Sequence, residues 1–112
     1  MIFHSFFFDN FLQKVANNNQ IKTVYFLLLK RDTIKDDLFS NCRQMKQISI
    51  PSSITSIGNK SFSGLKLLEE ITIPSTVKTI GKNCFEECKS LKTITLPSSV
   101  TKIEDYTFAK CH

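Results

Sequence analysis

The chain has little of what sites of chemistry are usually built from. Its 112 residues include two histidines, His4 and His112, at opposite ends, and three glycines, Gly58, Gly64 and Gly81. Histidines so far apart make no acid–base pair, and the glycines form no loop that could cradle a phosphate. The acidic pairs Glu69-Glu70, Glu86-Glu87 and Glu104-Asp105 read as solvated faces. No catalytic constellation, cofactor motif or metal set is therefore expected. Long apolar runs are missing too. Phe6-Phe7-Phe8 and the stretch 24–29 fall far short of the roughly 20 residues of a spanning helix. No Lys or Arg precedes the first apolar stretch, Asp9 interrupts it, and no small-residue cleavage site follows. No secretory signal is read, and the default compartment is the cytoplasm. The net charge of +5 divides as +3 over residues 1–47 and +2 over 48–112. A surplus so mild and so evenly spread permits an anionic partner without requiring one.

What is present is repetition. "IPSSITSIG" begins at Ile50, "IPSTVKTIG" at Ile73 and "LPSSVTKIE" at Leu96, a period of 23 residues. A unit counted from Ile48, Ile71 and Ile94 has seven apolar slots. Slot 1 holds those three isoleucines, and slot 3 holds Ile50, Ile73 and Leu96. Slot 7 holds Ile54, Val77 and Val100, and slot 10 holds Ile57, Ile80 and Ile103. Phe62, Phe85 and Phe108 share slot 15, Leu65, Cys88 and Cys111 slot 18, and Leu68 and Leu91 slot 21. A disguised copy precedes them, with Tyr25, Leu27, Ile34, Phe39, Cys42 and Met45 in six of the slots. Arg31, in slot 7, is its one polar intruder. A fixed period of this length is the mark of a stacked repeat.

Each copy reads as strand, turn, short helical segment, turn. The I-x-I element alternates as a strand does. It stops at Pro51, Pro74 or Pro97, which have no N–H for a ladder. Gly58 and Gly81 in slot 11 fit a turn with unusual backbone angles. The F-x-x-C-x-x-L spacing fits a helical turn. One such unit buries too little to offset the entropy of ordering it, so copies must stack. The first copy also departs from the pattern at Leu28, where proline is expected, and at Lys35, which replaces the slot 11 glycine, as Glu104 does in the fourth.

The pattern I-x-I-P-S-S-V-x-x-I-G-x-x-x-F-x-x-C-x-x-L-K resembles the BspA-like leucine-rich repeat family, strongly over residues 48–112 and weakly over 25–47. The resemblance implies an α/β repeat solenoid without enzymatic activity, used for protein contact or adhesion and often found at cell surfaces. The expected fold is a short right-handed leucine-rich-repeat stack with a small parallel sheet and an N-terminal helical cap. The cap would span residues 1–24, with copies at 25–47 (degenerate), 48–70, 71–93 and 94–112 (incomplete). In the cap, Phe3, Phe7, Phe8, Phe11, Leu12 and Val15 share a helical face, and Asn17 to Asn19 mark a stop. A membrane-surface role is disfavoured because Lys14 is the only cation on that helix.

Two surfaces are candidate sites. The outward strand positions Gln47, Ser49, Glu70, Thr72, Thr93 and Thr95, with Pro51, Pro74 and Pro97 beside them, form a small, polar, flat face for a protein partner. Arg43, Lys66, Lys89 and His112 share slot 19 as a basic column. That column needs either nearby acids, such as Glu69, Glu70, Glu86 and Glu87, or an acidic partner. No aromatic residues alternate with it, so nucleic acid is not the expected partner. The cysteines of slot 18 read as packing residues. Cys84, Cys88, Cys111 and His112 match no zinc spacing, and a Cys88–Cys111 disulfide would require export. Copy four has no following rung to cover Ile94, Leu96, Val100, Ile103, Phe108 and Cys111. The expectation is that the chain either pairs end to end through copy four or is a piece of a longer solenoid.

Overall fold

A computed structural model describes the backbone of residues 2–111 and the side chains of residues 7–111. The expectations resting on Phe3, His4 and His112 lie outside the described side chains. Two helices lead, α1 (Ile2–Asn17) and α2 (Ile21–Leu28). Six short strands follow: β1 (Thr33–Ile34), β2 (Gln47–Ser49), β3 (Ser56–Ile57), β4 (Glu70–Thr72), β5 (Thr79–Ile80) and β6 (Thr93–Thr95). They form two parallel three-stranded sheets, β1-β3-β5 and β2-β4-β6, where one small sheet was expected. Each residue pairs with the one 23 positions on, as in Ile48 with Ile71 with Ile94, and Ile34 with Ile57 with Ile80. The sequence period is the rung spacing.

The core runs along the stack as columns. Phe39, Phe62, Phe85 and Phe108 stack with centroids 5.4, 5.4 and 5.6 Å apart and ring planes within 18°. Ile54, Ile57, Leu65, Leu68, Val77, Ile80 and Cys88 are buried beside them. Polar side chains bind rung to rung. The hydroxyls of Thr76 and Ser99 donate to the carbonyls of Ile54 and Val77 at 2.7 Å, and Ser53 donates to Leu28 at 3.1 Å. The second hydroxyl of each "PSS" or "PST" is thus mortar along the stack, while the first, Ser52, Ser75 or Ser98, is exposed.

Where a helical segment was expected after slot 11, the chain makes tight turns. Asp37, Lys60, Asn83 and Tyr106, all in slot 13, have φ between 57° and 61°. That conformation is costly without glycine, and it turns the backbone so that its N–H groups face the next rung. Asp37 donates to Asn59, Lys60 to Lys82 and Asn83 to Asp105; two residues on, Phe39, Phe62 and Phe85 donate to Ser61, Cys84 and Thr107. Inter-rung bonds meet the cost of the strained residue.

Gly58 and Gly81 are needed for a different reason from the one expected, since neither has a positive φ. A Cβ on Gly81 would stand 2.5 Å from the Asn59 nitrogen, and one on Gly58 2.6 Å from that of Asp36. The glycines let one backbone lie against the rung before it. Lys35 has no such rung before it, so a side chain is tolerated there. Glu104 does have one. There the sheet β1-β3-β5 gains no fourth strand, and Ile103, expected in the core, is 45% exposed.

The first copy is corrected most. Tyr25 and Leu27, placed in strand slots by the repeat, lie in α2, which crosses the expected boundary at residue 24. A strand here would have had an unpaired outer edge, whereas a helix satisfies its own backbone. Leu28 in the proline slot leaves the helix free to run. It buries Val24 and Leu28. α1 buries Leu12, Val15 and Ala16 but leaves Phe7, Phe8 and Phe11 exposed, contrary to the single apolar face expected. Its polar residues stand in for a missing rung. The Asn17 and Asn19 side-chain oxygens accept from the N–H groups of Gln44 and Lys46 at 2.8 and 2.7 Å. The Cys42 thiol donates to the Gln13 carbonyl at 3.5 Å, as Cys88 does to Phe62 at 3.0 Å. Arg31 and Lys35, the charged departures from the repeat, both pair with Asp9 of α1, at 2.6 and 2.8 Å.

Two outcomes follow for stability. Phe85 stacks on two rings and Phe39 on one. Phe85→Ala is expected to cost about 3–5 kcal/mol and Phe39→Ala less, measured by denaturant melts; equal costs would contradict the columns. Burial pushes the Asp9 carboxyl up, but Lys35 and Arg31 outweigh it and hold its pKa below the usual 3.8. The folded state then binds this proton less readily than the unfolded chain. The contact is fully present above the ordinary aspartate value and lost as pH falls through the folded one. Asp9→Asn is expected to cost on the order of 1 kcal/mol at neutral pH. That difference should vanish in acid, where wild-type Asp9 is also uncharged, and a pH-independent difference would remove the ion pairs from the account.

Candidate functional site

The proposed contact face lies on β2, β4 and β6. Period-two alternation turns Ile48 and Ile71 inward, and the residues flanking them outward. Gln47, Glu70 and Thr93 form one registered row and Ser49, Thr72 and Thr95 another. All six are exposed. Pro51 is not part of this face, because it is buried, and Pro74 and Pro97 are half-buried. Seven hydroxyls between the strands are committed to the fold: Ser53, Thr55, Ser61, Thr76, Ser90, Ser99 and Thr107 each donate to a backbone carbonyl. None of the six facing residues makes a side-chain hydrogen bond or ion pair within the described chain. Their donors and acceptors are open to solvent or to a partner.

The basic column is also in place, with Arg43, Lys66 and Lys89 exposed one per rung; His112 lies outside the described residues. None of the three makes an ion pair among the described residues, so the acids expected to relieve them do not do so by direct contact. Between the column and the strand face runs a third row that was not singled out from the sequence: Lys46, Glu69 and Lys92 in slot 22. Lys92 Nζ lies 3.7 Å from Glu69 Oε1. These three line a shallow groove of about 370 Å³ with Gln47, Glu70 and Thr93. They also line one of about 380 Å³ with Lys89, Ser90 and Leu91. The two candidate surfaces therefore adjoin along one charged seam. The alternation of sign within slot 22 is the signal that could have revealed it.

Buried thiols complete the chemistry. All four cysteines are free; Cys42, Cys84 and Cys88 are buried and Cys111 half-buried. Burial pushes Cys42 up to about 11, and Cys84 and Cys88 to about 12. Burial also raises Cys111. Among the described residues, no three His, Cys, Asp or Glu side chains are grouped to hold a metal ion.

Comparison with known families identifies the repeat. The family model described as "BspA type Leucine rich repeat region (6 copies)" matches residues 30–112. Its match begins just after α2, where the rungs begin. A search of curated proteins gave no match. The chain aligns with the crystal structure of a leucine-rich repeat protein from Bacteroides ovatus at 24% identity and a TM-score of 0.40, over 70% of this chain. The alignment spans 32% of that protein's length.

Thiolates are the reactive form, so these thiols should resist modification. With a disulfide reagent near about pH 8, Cys42, Cys84 and Cys88 are expected to label only after denaturation, with Cys111 reacting first in the native protein. Rapid native labelling of Cys88 would contradict its burial.

Proposed function

Because the chain belongs to the BspA-type leucine-rich repeat family, we propose that it is a non-catalytic protein-binding module, a short right-handed solenoid that presents its β2-β4-β6 face to a protein partner. The right hand follows the rule for parallel crossover connections. The residues proposed to make contact are Gln47, Ser49, Glu70, Thr72, Thr93 and Thr95. One observation carries the reading: these six are exposed, in register and unused by the fold, while equivalent polar residues elsewhere hold the rungs together. A flat row of small donors and acceptors accommodates a backbone or a polar surface without reorganisation. An adhesive role is the same chemistry with the partner on another surface.

A second reading is supported by the absence, among the described residues, of ion pairs on Arg43, Lys66 and Lys89: an acidic partner, protein or polysaccharide, held by the basic column. A third element of the proposal is association of two copies through copy four, where Ile103 and Tyr106 are exposed.

The whole chain, immobilised, separates the readings. Thr72→Arg with Thr95→Arg should abolish capture of the partners that wild type retains, while Lys66→Glu with Lys89→Glu leaves them bound. The reverse pattern, with retention on heparin falling steeply as salt rises, would replace the strand face with the basic column. Capture unaffected by either pair would remove both surfaces from the proposal. Light scattering over a concentration series tests self-association, and a monomer throughout would exclude it.

A further inference from the structure

The end of the stack opposite copy four carries a surface that the repeat does not explain. α1 and α2 lie side by side there, α2 packed on β2 and α1 hydrogen-bonded through Gln13 to Leu38 and Cys42. Their buried residues, Leu12, Val15 and Ala16 on α1 and Val24 and Leu28 on α2, face the first rung. Phe26 is two residues from both Val24 and Leu28, which at 100° per residue places it on the far side of its helix. Lys14 stands likewise to Leu12 and Ala16, and Phe11 and Phe7 precede it by three and seven residues on the same side. Phe7, Phe11 and Phe26 are 67%, 51% and 59% exposed. Exposed rings on both helices, pointing away from the stack, cost hydration free energy unless something covers them.

Charge says what that something is. Asp9 is the only acid in the first 30 residues, and it is taken by Arg31 and Lys35. Lys14, Lys22 and Lys30 are exposed and have no ion pair among the described residues. Lys22 precedes Phe26 by one turn, and Lys30 Nζ sits 5.5 Å from the centre of the Phe26 ring. Aromatic rings interspersed with lysines match the anionic face of a bilayer, where rings enter the headgroup layer and lysines meet phosphate or carboxylate; Asp32, in the groove beside Lys30, is the acid at its margin. Lys14 alone could not make this match; α2 supplies Lys22, and the turn that follows it supplies Lys30. No helix among the described residues is long and apolar enough to cross a membrane, so the contact is at the surface.

We propose that the outer face of α1 and α2, built from Phe7, Phe11, Lys14, Lys22, Phe26 and Lys30, docks on an anionic lipid surface. This site is at the end of the stack; Lys22 shares a small groove with Ser49 of β2, while Thr72 and Thr95 lie one and two rungs further away. Either surface can fail without the other.

Co-sedimentation of the whole chain with vesicles tests it, comparing pure phosphatidylcholine with phosphatidylcholine carrying phosphatidylserine. Wild type should bind the anionic vesicles and not the zwitterionic ones. Lys22→Glu with Lys30→Glu should weaken binding at least about tenfold. Phe11→Ala with Phe26→Ala should do the same, with Thr72→Arg unchanged. Melting curves report whether the ring variant folds; if it does not, the lysine pair alone decides. No binding to anionic vesicles, equal binding to both kinds, or wild-type binding by the cap variants would each overturn the proposal. So would a lipid-free dimer that the Phe11→Ala, Phe26→Ala variant dissolves, which would assign the face to a second copy.

Discussion

Neighbouring rungs are held at the separation of two hydrogen-bonded backbones, about 4.8 Å, and every column in the chain has to fit that distance. The phenylalanine rings meet it by stacking nearly parallel, with centroids 5.4 to 5.6 Å apart. The slot 11 position meets it only without a Cβ, which is why Gly58 and Gly81 stand where they do. An added or deleted residue inside a copy would shift its later columns against the rungs on either side. The period of 23 is therefore fixed by packing on both sides of each copy.

The same spacing explains how the ends differ. At the first rung the chain replaces the missing neighbour with side chains: Asn17 and Asn19 supply the acceptors that a backbone would have offered. Asp9 then ties the helix to Arg31 and Lys35. At the fourth rung the ladder loosens on one side only. Asp36 accepts from the Asn59 N–H and Asn59 from that of Lys82, but Lys82 has no side-chain oxygen to offer Asp105. Glu104 brings a Cβ where the earlier rungs have none. The turn side still holds, because Asn83, Phe85 and Glu87 donate to Asp105, Thr107 and Ala109. One end is closed by design of its polar residues, and the other is frayed along a single sheet.

The sequence made the rungs legible because apolar slots, prolines and phenylalanines repeat as visible letters. It hid whatever depends on a residue's neighbour in the stack. Lys60 has no propensity for positive φ, yet the inter-rung bond of slot 13 holds it there as it holds Asp37 and Asn83, and Tyr106 repeats the turn in the last rung. Arg31 looked like a defect because its partner, Asp9, is 22 residues away in another element. Tyr25 and Leu27 fit the strand slots by composition. A strand, however, needs a partner on each interior side, and residue 25 has no earlier rung to pair with. The facing residues of β2, β4 and β6 were legible from alternation alone. The slot 22 seam beside them shows in the sequence only as an alternation of sign, Lys46, Glu69 and Lys92, at one position of the repeat.

Polar side chains in this chain divide into two populations, and the division carries the functional argument. Ser53, Thr76, Ser99, Asn17 and Asn19 spend their hydrogen bonds on the stack. Gln47, Ser49, Glu70, Thr72, Thr93 and Thr95 do not, though the rung register sets them equally regularly. Cross-strand pairing alone sets only a modest preference for Thr or Ser at an exposed strand position, which leaves these rows open to the contact proposed for them. The cap shows the same logic in apolar form. α1 already buries Leu12, Val15 and Ala16 to close the first rung, and Phe7, Phe11 and Phe26 add nothing to that closure. Residues that the fold leaves idle, on the strand face and on the cap, are therefore the ones proposed to meet other molecules.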